Sequence, residues 1–85
     1  MILVDDARWQ ARGQKWAHLV SDQSYVELHT FAARLGIPRR AFQGDHYDVP
    51  SDCRDRAIGL GATAVSSREL VGRLRAAGLR RRSPT

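Results

Sequence analysis

Apolar positions along the chain fall into short β-rich runs and longer stretches with helical spacing. Ile2–Asp6 (ILVDD), an apolar run ending in acids, reads as a first strand, and Trp16–Ser21 (WAHLVS) as a second. Arg39–Gln43 (RRAFQ), short and half polar, reads as a third strand, and Ala62–Ser66 (ATAVS) as a fourth. Between the first two lies ARWQARGQKW, polar and basic with a tryptophan near each end, which reads as a loop.

Helical spacing appears three times. Leu28, Phe31, Ala32 and Leu35 share one face, and Ser24 with Glu27 has the spacing of a capping box just ahead of them. Gly36 followed by Pro38 stops this helix. Pro50 suits the first turn of a second helix that runs to about Leu60 and ends at Gly61. Ser66 and Glu69 repeat the capping-box spacing before a third, with Leu70, Val71, Leu74 and Ala77 as its apolar face and Gly78 as its stop.

The resulting order, β-β-α-β-α-β-α, contains two consecutive strand–helix–strand units. It predicts an α/β fold with a small four-stranded, mostly parallel sheet and three helices, joined by right-handed crossovers. The expected organisation is a single domain over residues 1–79 and a basic C-terminal tail over 80–85. In such sheets ligands bind beyond the carboxyl ends of the strands. That edge is expected to carry residues 44–49, Ser21 and Asp22 after the second strand, and Ser66 and Ser67 after the fourth.

Composition sets outer bounds. Eighty-five residues at 42% hydrophobic make one small globular domain with a modest core. No apolar run nears the ~20 residues of a membrane span, and MILVDD has no basic region ahead of an apolar stretch, so neither a membrane segment nor a signal peptide is expected. The single Cys53 excludes an internal disulfide framework and disfavours a thiolate metal cage; together these point to a cytoplasmic location. Cys53 itself reads as core packing in the second helix, towards Ala57 and Leu60. The net charge of +5 drops to +2 without Arg80, Arg81 and Arg82, so most of the excess sits in a tail that can solubilise the chain or hold a polyanion electrostatically.

The densest chemistry lies in FQGDHYDVP, residues 42–50. Asp45, His46 and Asp48 place an imidazole beside two carboxylates, a combination suited to general acid–base work or to a divalent metal. The same residues also suit plain architecture: Gly44-Asp45 is turn chemistry, Asp48 could cap the second helix, and Tyr47 could cover the core edge. Asp5 and Asp6, at the end of the first strand, could hold Mg²⁺ for phosphoryl chemistry, although alternation sends their side chains to opposite faces. An antiparallel hairpin between the first two strands would leave both at the opposite edge from His46. His18, mid-strand, reads as a hydrogen-bonded, partly buried residue, and His29 as a residue on the flank of the first helix. No His-x₃-His or Cys-x₂-Cys spacing points to zinc. Helix N-termini at the sheet edge, with Ser66, Ser67 and Arg68, suit phosphate or carboxylate, whereas Arg39 and Arg40 should lie at the far edge. No Gly-rich phosphate loop, P-loop or G-x-S-x-G elbow is present.

Taken in order, MILVDDARW, WAHLVSD, ELHTFAARLG, RRAFQGDHYDVP and AIGLGATAVSSREL resemble a family of small bacterial and phage proteins known only as a domain of unknown function. The likeness covers about residues 1–79, and FQGDHYD is its most distinctive piece; Gln10 stands where a proline often follows the first tryptophan. The resemblance implies that Asp5, Asp6, His18, His29, Gln43, Asp45, His46, Tyr47 and Asp48 occupy the family's characteristic polar positions. It implies no activity, substrate or cofactor.

The leading expectation is therefore a polar ligand or phosphate-handling site at the sheet's carboxyl edge, in its most specific form a metal-assisted hydrolase of a nucleotide or nucleic acid. His46 would be the general acid–base, Asp48 and Asp45 its carboxylate partners, and Asp5 or Asp6 would hold the ion. Gln43, Tyr47, Ser66, Ser67 and Arg68 would bind the ligand. The alternative is a non-enzymatic nucleic-acid or protein-binding module using the basic tail and the Trp9/Trp16 loop.

Overall fold

The computed structural model describes residues 1–6 and 9–80; Arg81 and Arg82 lie outside the described residues. Its axis is an eight-residue strand, β3 (Gln14–Ser21), longer than the expected WAHLVS. One edge of β3 is shared by β1 (Ile2–Val4), which faces Leu19–Ser21, and β2 (Trp9–Ala11), which faces Gln14–Trp16, both antiparallel. The other edge carries β4 (Tyr47–Pro50), also antiparallel, with Leu19 opposite Tyr47 and His18 opposite Asp48. A two-residue strand, β5 (Thr63–Ala64), extends the sheet on the outer edge of β1 and is parallel to it. The fold is α/β, but the sheet is mixed and five-stranded, not four-stranded and mostly parallel.

Two local readings account for the difference. The stretch read as a loop is a tight hairpin: Ala11 pairs with Gln14, and the turn between them places Arg12 and Gly13 at φ 54° and 76°. Two successive left-handed residues match the twist of flanking strands, and glycine adopts that region freely. The RRAFQ stretch, read as a strand, instead makes a 3₁₀ turn at Arg39–Ala41. The actual strand lies just beyond, in YDVP, where Tyr47 and Val49 are buried and Asp48 and Pro50 are only partly so.

The helices fall where the spacing puts them. α1 (Tyr25–Arg34) starts at Ser24, whose hydroxyl accepts from the Glu27 N–H at 3.1 Å. Glu27 does not close the box; its carboxylate accepts from Ser21 Oγ at 2.6 Å, and Ser21 in turn accepts from the Gln23 and Ser24 N–H groups. α2 (Ser51–Gly59) follows Pro50 directly. α3 (Ser67–Ala76) starts at Ser66, which accepts from the Glu69 N–H.

Alternation along the strands divides the core in two. Ile2, Val4, Ala17, Leu19, Tyr47 and Val49 face α1 and α2, where Leu28, Phe31, Ala32, Leu35 and Ala57 complete the larger cluster, with Cys53 half-buried against it. Leu3 and Val20 face the other way and form a smaller cluster with Leu70 and Leu74 of α3, with Val65, Val71 and Leu79 partly buried against it. β1, covered on both sides, is apolar throughout, as a doubly covered strand must be. The α3 face is only partly covered, and His18 and Asp48, on that face beside the helix, are half-buried. Among the described residues no helix is long and apolar enough to cross a membrane.

Candidate metal centre

Asp5 continues the register of β1 by one residue, its N–H donating to the His18 carbonyl at 3.2 Å. Its side chain therefore points to the α3 face, beside Leu3, and is 1% exposed. There it accepts three hydrogen bonds: from the His18 N–H at 2.6 Å, from Ser67 Oγ at 2.7 Å, and at 2.8 Å it meets His18 Nδ1. Burial alone would raise the Asp5 carboxyl, but the His18 ring, the His18 N–H and the Ser67 hydroxyl hold it below the ordinary carboxylate value. The bond to Asp5 raises His18 above the ordinary imidazole value, against burial, with the charges of Asp5 and Asp48 adding to the rise and Arg80 opposing it.

A second aspartate–histidine pair is built locally. Phe42 bridges to Tyr47, the Gln43 N–H donates to the His46 carbonyl at 2.8 Å, and Gly44 and Asp45 form the intervening turn, with Gly44 at φ 87°. This tight return folds Asp45, 4% exposed, against His46 so that Oδ1 lies 2.7 Å from Nδ1. A Cβ at Gly44 would meet nothing within 4 Å, so only its backbone conformation opposes substitution. Gly44→Ala is expected to cost about 1–2 kcal/mol, read as a lower urea midpoint with an unchanged slope.

The two imidazoles meet edge to face, their centroids 5.2 Å apart. A ring nitrogen of each, with a carboxylate oxygen of Asp48, lies within 4.8 Å of the others. Both Nδ1 atoms face aspartates, so coordination would run through Nε2, with Asp5 and Asp45 in the outer positions that orient metal-binding histidines. Asp48 Oδ1 is buried and takes no hydrogen bond among the described residues, yet lies 3.1 Å from His46 Nε2. A neutral imidazole carries one N–H, and when Nδ1 donates to Asp45, two lone pairs face each other at this contact. Two ligands about 2.1 Å from one ion stand about 3.0 Å apart at a right angle and about 3.4 Å apart at the tetrahedral angle. The separation fits a shared cation.

The expectation that antiparallel pairing of the first two strands would carry Asp5 away from His46 does not hold. β4 is antiparallel to β3, so His46 stands ahead of its strand, beside the half of β3 that Asp5 faces. Asp5 is outside the three-residue cluster and behind His18. Asp6 turns away, its carboxylate 3.5 Å from Arg54 Nη2 and 50% exposed. Tyr47 is 1% exposed on the opposite sheet face, where its hydroxyl is 2.7 Å from His29 Nδ1. Ser67 reaches the site through Asp5, Ser66 caps α3, and Arg68 is exposed on the first turn of that helix. His18 is the residue that sequence reasoning undervalued. The available signal was that WAHLVS buries Ala17 and Leu19, leaving His18 to the face that Asp5 shares by alternation.

A cleft of about 140 Å³ opens beside the cluster, lined by Asp5, His18, His46 and Ser67, by aliphatic side chains of α3, and by Arg80. Arg80 is delivered there because the Tyr25 hydroxyl holds the Leu79 carbonyl at 2.5 Å, and its Nη1 lies 3.7 Å from Asp45 Oδ2.

The Asp5–His18 pair makes stability depend on pH from both sides. Asp5 titrates lower in the folded chain, so its contribution is present above the unfolded carboxylate value and is lost as pH falls through the folded one. His18 titrates higher, so its contribution is full below the unfolded imidazole value and is lost as pH rises through the folded one. In the presence of a chelator, urea midpoints are expected to fall on both limbs, and Asp5→Asn to flatten them.

No curated protein and no solved structure is detectably similar to the chain. A family model described as "Protein of unknown function (DUF4031)" matches residues 2–77, which take in Asp5, His18, Asp45, His46, Asp48 and Ser67 but not Arg80. The chain belongs to this family of unknown function.

Proposed function

We propose that the domain holds one divalent transition-metal ion between His18, His46 and Asp48 and uses it to hydrolyse a phosphate ester of a nucleotide or nucleic acid. The observation that carries this reading is the convergence of two ring nitrogens and a carboxylate oxygen within 4.8 Å, each ring braced from behind by a buried aspartate. Two nitrogens and one oxygen suit zinc, manganese or iron better than Mg²⁺, which prefers oxygen ligands and retains water. Three protein ligands leave positions for water and substrate, the arrangement of catalytic rather than structural sites. Bound there, the ion would supply Lewis acidity and a water that ionises near neutrality. Asp5 and Asp45 fix the rings, while Arg80 lines the cleft in which phosphoryl oxygens would sit, with Ser67 at the start of α3 beside it.

The test is calorimetry and ¹⁵N-resolved NMR with Zn²⁺, Mn²⁺ and Mg²⁺, followed by hydrolysis of bis(p-nitrophenyl) phosphate by the loaded chain. Saturable one-to-one binding of Zn²⁺ or Mn²⁺ with shifts at His18, His46 and Asp48, followed by turnover, is the expected result. Absence of binding overturns the reading, and binding without turnover leaves a metal-dependent binding module. That second reading is favoured by the exposed Arg12 and Lys15 of the β2–β3 hairpin.

A further inference from the structure

A second cavity, of about 230 Å³, adjoins the cluster and is lined by Ala11, Arg12, Trp16, Ala41, Gln43 and Asp48. Asp48 belongs to both places: one carboxylate serves the metal cluster and walls the cavity. Trp16 and His18 lie two residues apart on the same face of β3, about 6.7 Å along the strand. That distance is comparable with the span from a nucleobase to its own phosphate.

We infer that this cavity is a nucleobase subsite, so that the substrate is a nucleoside phosphate unit with its base against Trp16 and its phosphate over the metal. The inference rests on the proposed metal centre and names its substrate class. The cavity is smaller than the roughly 300 Å³ at which drug-sized pockets begin, and suits one ring system rather than a whole nucleotide. The indole is held in place, its Nε1 donating to the Ala11 carbonyl at 2.9 Å, and offers the kind of surface on which bases of any sequence stack. Ala11 and Ala41 are small enough to leave a slot beside it. The Gln43 amide carries a donor and an acceptor side by side, which matches the paired groups on a base edge. Arg12, exposed on the hairpin and part of the cavity wall, adds positive charge where a sugar–phosphate chain would leave the slot. A neutral sugar would gain nothing from that charge.

The test adds the four nucleoside 5′-monophosphates, ribose 5-phosphate and a single-stranded hexanucleotide to the full ¹⁵N-labelled chain, with Zn²⁺ and again with EDTA. At least one nucleotide is expected to shift the Trp16 indole and Gln43 side-chain resonances and to bind about tenfold or more tighter than ribose 5-phosphate. Gln43→Ala, at an exposed side chain, and Trp16→Phe, which keeps an aromatic ring, should each reduce that preference. Equal binding of ribose 5-phosphate, or nucleotide shifts confined to other residues, overturns the subsite. Zn²⁺ shifts at His18 and His46 with a silent Trp16 overturn the subsite and leave the metal centre standing. Nucleotide shifts at Trp16 without any Zn²⁺ response do the reverse. Tighter binding of the hexanucleotide than of any mononucleotide identifies nucleic acid as the source of the unit.

Discussion

His46→Ala is expected to lower Zn²⁺ affinity by more than about 100-fold, the upper end of what changes behind a ligand usually cost. His46 does more than supply one donor. Its Nδ1 meets Asp45, its Nε2 stands 3.1 Å from Asp48, and its ring lies against that of His18, so its removal unmakes all three contacts. Asp45→Asn should act more mildly, by about 10- to 100-fold, because it removes the brace and leaves the ligand. Calorimetry at fixed pH measures both. A His46→Ala chain that binds zinc like the parent would dismiss the centre. Asp6→Asn is the contrasting variant: Asp6 faces Arg54, away from the cluster, and its loss should leave zinc affinity within about threefold.

Asp5→Ala is expected to destabilise the chain by about 3 kcal/mol. The carboxylate is buried and takes hydrogen bonds from the His18 N–H and Ser67 Oγ while meeting His18 Nδ1. Bonds to a charged acceptor contribute about 1.5–3 kcal/mol each, and relief of the carboxylate's own desolvation offsets part of the sum. Ser67 and the His18 ring can turn to water, but the His18 N–H sits within the sheet. For a domain of this length, total stability is about 4–13 kcal/mol, and each kcal/mol moves the midpoint by about 4–8 °C. Thermal unfolding followed by circular dichroism should therefore show a fall of about 12–24 °C. Asp5→Asn, which keeps an acceptor for the backbone N–H, should lose less than half of that. Equal losses in the two variants would mean that the charge of the carboxylate, rather than its shape or its bond to the backbone N–H, is what Asp5 contributes.

The parts of this structure legible in the sequence are those decided within a turn or two of chain. Ser24 and Ser66 cap their helices as the spacing requires, and α2 begins directly after Pro50. Strand pairing is decided between distant segments, and there the reading failed in instructive ways. YDVP follows a Gly-Asp turn and ends in proline, so its polar residues suggest a bend, although the burial of Tyr47 and Val49 is the alternation of a strand. The Arg-Gly turn lacks the asparagine or aspartate that usually marks a tight hairpin, which hid β2 inside an apparent loop. For the site, the local group Asp45, His46 and Asp48 was visible because it falls within four consecutive turn and strand positions. His18 was not, because its significance depends on facing Asp48 across β4 and Asp5 across β1. No periodicity within one segment contains that information.

The unequal covering of the sheet also sets the order in which the molecule should come apart. α3 is fixed to its face by Leu70 and Leu74 against Leu3 and Val20, while the opposite face carries two helices and a much larger apolar cluster. Amide hydrogens of α3 should therefore exchange through a sub-global opening, at a free energy below that for Leu19 and Val49 at the centre of the sheet. His18, His46 and Asp48 all stand on β3, on β4 or immediately before β4, so this opening would uncover the cluster without dismantling it. A chain with α3 lifted away would retain its ligands and lose the wall of its cleft. Entry and departure of anything too large for 140 Å³ can then follow the rhythm of one helix.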